Sequence, residues 1–138
     1  MPLDKANFLC DDLRTIMSYA NFFELKGKII KEINGLEIDS DEVFIRTNDE
    51  TYKIYHEQDC CEHVRIVKVI GKVNELVGEV LFAEEDAGAN KPDWCNEPFG
   101  DSHTWTKYVL KTANASLEFW FLGESNGYYS ESVSIKKI

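Results

Sequence analysis

Two stretches of this chain carry reactive side chains out of proportion to their length: Tyr55-His56-Glu57-Gln58-Asp59-Cys60-Cys61-Glu62-His63 and Gly123-Glu124-Ser125-Asn126-Gly127-Tyr128-Tyr129-Ser130-Glu131. The first holds two histidines, two cysteines, three acids and an amide within nine positions. Such a set is costly to bury without partners and reactive when exposed. The two stretches therefore read together as one candidate site. Its ligand-binding candidates are His56, Glu57, Asp59, Cys60, Cys61 and Glu62 from the first, and Glu124, Ser125, Asn126, Tyr128 and Tyr129 from the second.

These residue types suit three chemistries, and the spacing completes none of them. His56, Cys60, Cys61 and His63 are soft or borderline metal ligands, with Cys95 and His103 further along. Zinc ligands ordinarily come as converging pairs. His56 and Cys60 are four apart, which suits a loop or helical turn, but Cys60 and Cys61 do not both reach one ion easily, and there is no second close pair. A thiol beside an imidazole meets the elementary requirement for a cysteine nucleophile, with Asp59 or Glu62 to orient the ring. No strand-to-helix elbow is present to place that thiol at a helix N-terminus and lower its pKa. Glu57, Asp59, Glu62, Glu124 and Glu131 would do acid–base work only as a pair in a dry cleft, and acids at strand ends are ordinarily solvated. The glycines at 123 and 127 enclose an acid where a phosphate site wants cations or backbone donors. No catalytic residue, metal or cofactor is assigned.

The elements that position these stretches are mostly strands. Strand patterning predicts strands over residues 28–33, 42–47, 51–56, 63–70, 79–84, 103–110, 116–122 and 128–135, the fourth a β-branched, mostly apolar run as expected of a strand covered on both faces, with a helical turn over 71–78. In the seventh of these, Leu117, Phe119 and Phe121 face one side, and Ser116, Glu118 and Trp120 the other. Asn34-Gly35 is a strong turn signal, and residues 85–102 read as a long acidic loop that Trp94 and Phe99 fold back onto the body. Ahead of the strands, Leu9, Leu13, Ile16, Met17, Ala20 and Glu24 fall on one helical stripe after Asp4, predicting a helix over residues 5–24. The expected fold is α+β: a curved, mostly antiparallel meander of the half-barrel kind with one N-terminal helix. The expected division is residues 1–24 for the helix and 25–138 for a single β-rich domain.

Bulk composition narrows the function classes. The 138 residues are 43% hydrophobic and 12% aromatic, enough for one well-packed core. Twenty-five acids against fifteen lysines and arginines give a net charge of −10, which opposes direct nucleic-acid binding and favours basic partners. No apolar run of membrane-spanning length occurs, and Met1-Pro2-Leu3-Asp4-Lys5 does not begin a secretion signal, so a cytoplasmic protein is expected. Reduced thiols are then the default for the four cysteines. Adjacent cysteines on a strand would in any case point to opposite faces.

The two polar stretches, together with Ser102-His103-Thr104-Trp105-Thr106, resemble a family of small uncharacterised proteins of tailed bacteriophages and prophages, over about residues 25–138. That family has no assigned activity. The resemblance implies a noncatalytic accessory protein working in the host cytoplasm, which binds or inhibits a host factor, such as one of host defence. A host protein is the expected partner, with a small ligand or a second copy of the chain also compatible. The alternative is a small metal- or thiol-dependent enzyme built on His56, Cys60 and Cys61. In either case the two stretches are expected to lie side by side, with His56 or Glu57 within hydrogen-bonding reach of Ser125, Asn126, Tyr128 or Tyr129.

Overall fold

Alternation along the chain is realised as nine strands in a computed structural model, which describes residues 19–95 and 102–138. These are β1 (Ile29–Asn34), β2 (Glu42–Thr47), β3 (Thr51–Tyr55), β4 (His63–Ile70), β5 (Gly78–Glu79), β6 (Phe82–Ala89), β7 (Ser102–Lys111), β8 (Ser116–Ser125) and β9 (Ser134–Lys137). They do not form one meander. They form two antiparallel sheets, ordered β5-β1-β2-β3-β9 and β4-β8-β7-β6.

Inward-facing residues explain why the sheets face each other. The first contributes Ile30, Val43, Ile45, Tyr52, Ile54 and Ile135, and the second Val64, Ile66, Tyr108, Leu110, Leu117, Phe119 and Phe121, all in one buried core. Burying each such side chain contributes roughly 1.5–3 kcal/mol. Tyr108 stacks on Phe119 with ring centroids 5.1 Å apart. The expected alternation of Leu117, Phe119 and Phe121 against Trp120 is thus used on both faces. On the outer face of the second sheet, Trp120, Trp105, Leu122 and Cys95 make a smaller cluster. Trp94 does fold back, meeting Trp105 and Trp120 edge-on, each at 5.7 Å. Phe99 lies outside the described residues. The reading of 85–102 as loop fails at both ends, because β6 continues to Ala89 and β7 begins at Ser102.

The α+β expectation is overturned. Strands take 53% of the described residues and helical turns 6%, with no helix of seven residues or more. Residues 5–18 of the expected helix lie outside the described residues, and its end at 19–24 is not α-helical. Tyr19 bridges to Lys136, and the Ala20 N–H donates to the Ile135 carbonyl at 2.9 Å. Phe22–Leu25 is a 3-10 turn that buries Phe22 and Leu25 in the core. The open edge of β9 offers ladder hydrogen bonds, and pairing with it outweighs the local helical pattern. Among the described residues no helix is long and apolar enough to cross a membrane.

The second correction concerns β9. Residues 128–135 were expected to return beside 116–122 as a hairpin. Instead the chain leaves β8, crosses between the sheets over residues 126–133, and pairs with β3, Ile54 opposite Ile135. The chain from β3 to β4 makes the opposite crossing over residues 56–62. Because β3 neighbours β9 and β4 neighbours β8, the two crossovers join the same strand pairs, and topology brings them to one end of the sandwich.

Candidate functional site: a polar joint between two crossovers

Both polar stretches are these crossovers, and their composition answers a local need. A chain passing between sheets leaves the ladder, so its backbone donors and acceptors must find side-chain partners. In the first crossover Glu62 supplies them. Its Oε2 accepts from the Asp59 N–H at 2.8 Å, and its Oε1 from the Cys60 N–H at 2.9 Å. The same carboxylate meets His56 Nε2 at 2.7 Å, while His56 Nδ1 lies 2.7 Å from the carbonyl oxygen of Ser132 in the second crossover. The two side chains are 3% and 0% exposed. A carboxylate and a carbonyl both accept, so each ring nitrogen of His56 faces an acceptor oxygen. Burial opposes ionisation of Glu62, but His56 and the backbone N–H groups outweigh it and hold the carboxyl down at about 2. Gln58 Nε2 completes the bend, donating to the Glu62 carbonyl at 2.6 Å.

The second crossover is built the same way around Glu131. Its Oε1 accepts from the Thr104 hydroxyl at 2.7 Å and its Oε2 from the Ser125 hydroxyl at 2.5 Å. Burial again opposes its ionisation. The hydroxyls of Ser125, Thr104 and Ser102 and the charge of His103 prevail, keeping the carboxyl below the usual range. Ser125 Oγ also accepts from the Gly127 N–H, and Asn126 Oδ1 from the Tyr128 N–H, each at 3.0 Å. These two bonds form the tight turn that the glycine at 127, with φ of 92°, permits.

Gly123 lets the second crossover lie against β8. A Cβ there would lie 2.7 Å from the Glu131 carbonyl oxygen, 2.9 Å from its Cβ and 3.2 Å from Val64 Cγ2. The returning chain packs directly on the β8 backbone, and only hydrogen fits between. Tyr129 lies near enough to Cys60 for that thiol to raise its pKa, and in the adjoining ladder His63 and His103 flank Glu124. Arg65 Nη1 donates to Glu124 Oε1 at 2.7 Å.

The expected cross-pairs do not form. His56 reaches the Ser132 carbonyl instead of Ser125, Asn126 or a tyrosine of the second stretch. Glu57 accepts from the hydroxyls of Tyr55, at 2.9 Å, and Tyr19. Ser125 and Asn126 serve their own crossover. Asp59 enters by its backbone alone among the bonds described. The adjacent thiols are also corrected. Cys60 and Cys61 lie in the bend rather than on a strand, and their Sγ atoms are 3.0 Å apart. Thr104, Gly123, Ser132 and Arg65 were missing from the candidates, and Glu131 was weighed for acid–base work but not for the ligand-binding set. Glu131 lay within the quoted stretch and Thr104 within the flanking one, whereas Ser132 acts through its backbone, which no side-chain signal announces. Among the described residues no three His, Cys, Asp or Glu side chains are placed to share a metal ion.

A two-sheet antiparallel β-protein, closed at one end by a polar joint between paired crossovers, is the class these observations define. The chain belongs to a family described as a domain of unknown function (DUF7448), matched over residues 23–135. No curated protein and no solved structure matches it.

Proposed function

We propose that this is a noncatalytic binding protein, an accessory protein of the bacteriophage kind, acting in the host cytoplasm by contact with a host protein. One observation carries the reading. Both buried carboxylates of the joint spend their oxygens on donors from this chain, and His56 has both ring nitrogens engaged. A general acid, base or nucleophile needs an atom left to meet a substrate. The joint stiffens the end of the sandwich and leaves other groups exposed: Tyr128, 83% exposed, with Asn126 in its own turn, and Gln58 and Asp59 in the other crossover. A large amphipathic ring held by a tight turn is suited to protein contact. The net charge of −10 favours a basic surface on the partner and fast, salt-sensitive association.

The test begins with mass-spectrometric identification of a stoichiometric partner co-purifying from host cells, followed by association kinetics with that purified partner. The Tyr128→Ala variant should lose association while melting as the parent does. The parent's association rate should fall steeply between low and physiological salt. Unchanged association by that variant, at a rate indifferent to salt, would refute the reading.

A further inference from the structure

Adjacent cysteines rarely present their sulfurs to each other, because an extended backbone turns them apart. Here the bend at residues 59–62 brings the Sγ atoms to 3.0 Å, and both residues are exposed. Cys95, by contrast, is buried in the tryptophan cluster. The bend is imposed by the joint, through Glu62 on the Asp59 and Cys60 N–H groups and Gln58 on the Cys60 and Glu62 carbonyls. The surroundings of the two sulfurs differ. The Tyr129 hydroxyl of the other crossover lies near enough to Cys60 for that thiol to make the hydroxyl hold its proton more tightly. Cys61 holds its proton more tightly than an ordinary thiol, because that proton bridges to Cys60.

We propose that Cys60 and Cys61 form a reversible dithiol–disulfide site that reacts with hydroperoxides. Cys60, as thiolate, attacks the peroxide O–O bond and becomes a sulfenic acid, and the peroxide's other oxygen leaves as water or an alcohol. The Cys61 sulfur then attacks the Cys60 sulfur, giving up its proton and expelling water as the S–S bond forms. In sum the two thiols lose two protons and two electrons, and the peroxide is reduced. An external dithiol reverses the change by exchange. Closing the gap from 3.0 Å to the ~2.05 Å of a disulfide needs only local movement of the bend. Neighbouring Cα atoms stand ~3.8 Å apart, closer than disulfides usually span, so the bond is strained and easily reduced.

The experiment treats the reduced, full-length protein with hydrogen peroxide, caps remaining thiols and analyses the peptide carrying Cys60 and Cys61 by mass spectrometry. The expected product has lost two hydrogens, runs as a monomer and is restored by dithiothreitol. Cys61→Ser should instead stop at a sulfenic acid that dimedone traps, and Cys60→Ser should leave Cys61 unmodified at the same dose. Circular dichroism confirms the fold of both variants. Overoxidation of wild-type Cys60 without the two-hydrogen loss, disulfide-linked dimers in place of the internal bond, or equal reactivity in the two variants would each overturn the proposal.

Discussion

Replacing Gly123 by alanine adds one methyl group at the point where the second crossover is pressed against β8. That methyl would lie 2.7 Å from the Glu131 carbonyl oxygen and 2.9 Å from the Glu131 Cβ. The first neighbour is backbone and cannot swing aside, so the returning chain must lift. Overpacking of this kind costs roughly 1–3 kcal/mol. Lifting residue 131 also stretches the bonds from Thr104 and Ser125 to its carboxylate, and a hydrogen bond to a charged group is worth about 1.5–3 kcal/mol when lost outright. Partial loss of these bonds brings the expected destabilisation to about 2–4 kcal/mol. At this chain length that corresponds to a fall in melting temperature of roughly 8–16 °C. Thermal unfolding followed by circular dichroism reads it directly. Gly127→Ala is the control, since its nearest neighbour would be Ser102 Cβ at 3.9 Å and only its positive φ is at stake. It should cost about 1–2 kcal/mol. If Gly123→Ala melted within a degree or two of the parent, the close packing of the second crossover on β8 would be refuted.

Three further outcomes follow from the same geometry. Glu62 has its carboxyl held at about 2 against an ordinary 4.5, so its contribution is complete above the ordinary value and is lost as pH falls towards 2. Urea midpoints should therefore drop on acidification below about pH 5, and Glu62→Gln, weaker at neutral pH, should show a shallower acid limb; an equally steep limb in the variant would remove Glu62 from the account. Trp94→Ala, which removes two edge-on ring contacts, should cost roughly 1–3 kcal/mol and shift tryptophan emission to the red as Trp105 and Trp120 meet water; unshifted emission would contradict the packing of Trp94 over them. Tyr128→Ala alone should leave the melting temperature within about 2 °C of the parent, given the ring's exposure, and a larger fall would assign that tyrosine to the joint.

How much of this was legible in the sequence depends on the range of the interaction. The strands over 42–47, 51–55 and 63–70 follow from patterning within each segment, as does the division of Leu117, Phe119 and Phe121 from Trp120. Which strands pair is a non-local matter. Strands 116–125 and 134–137 are consecutive, and consecutive strands commonly pair. Loop length gave no clue against it, since the expected strands 116–122 and 128–135 leave five residues between them, an ordinary hairpin loop, whereas residues 126 to 133 separate the strands that form. At the start of the chain the pattern was helical, and the open edge of β9 decided Tyr19 and Ala20 otherwise. At the joint, the density of polar groups did signal that the stretches had partners to find. Their identities were hidden because half of them are backbone: the Ser132 carbonyl, the Asp59 and Cys60 N–H groups, and the glycine at 123 that admits the Glu131 chain. Sulfur proximity was misjudged for a related reason. Cys60 and Cys61 diverge on a strand and converge in a bend, and the bend is set by Glu62.

The central claim is that the two polar stretches act as one structural joint, and a double-mutant cycle between them measures this directly. His56→Ala removes the link from the first crossover to the Ser132 carbonyl, and Glu131→Gln loosens the neighbouring residue of the second. Unfolding free energies from urea titration of the parent, both single variants and the double variant give the coupling. One joint predicts that the two losses fall short of additivity by at least about 0.5 kcal/mol, because either change alone frees the same crossing chain. Losses that add to within about 0.3 kcal/mol would show two independent turns that happen to be neighbours, and would contradict the account.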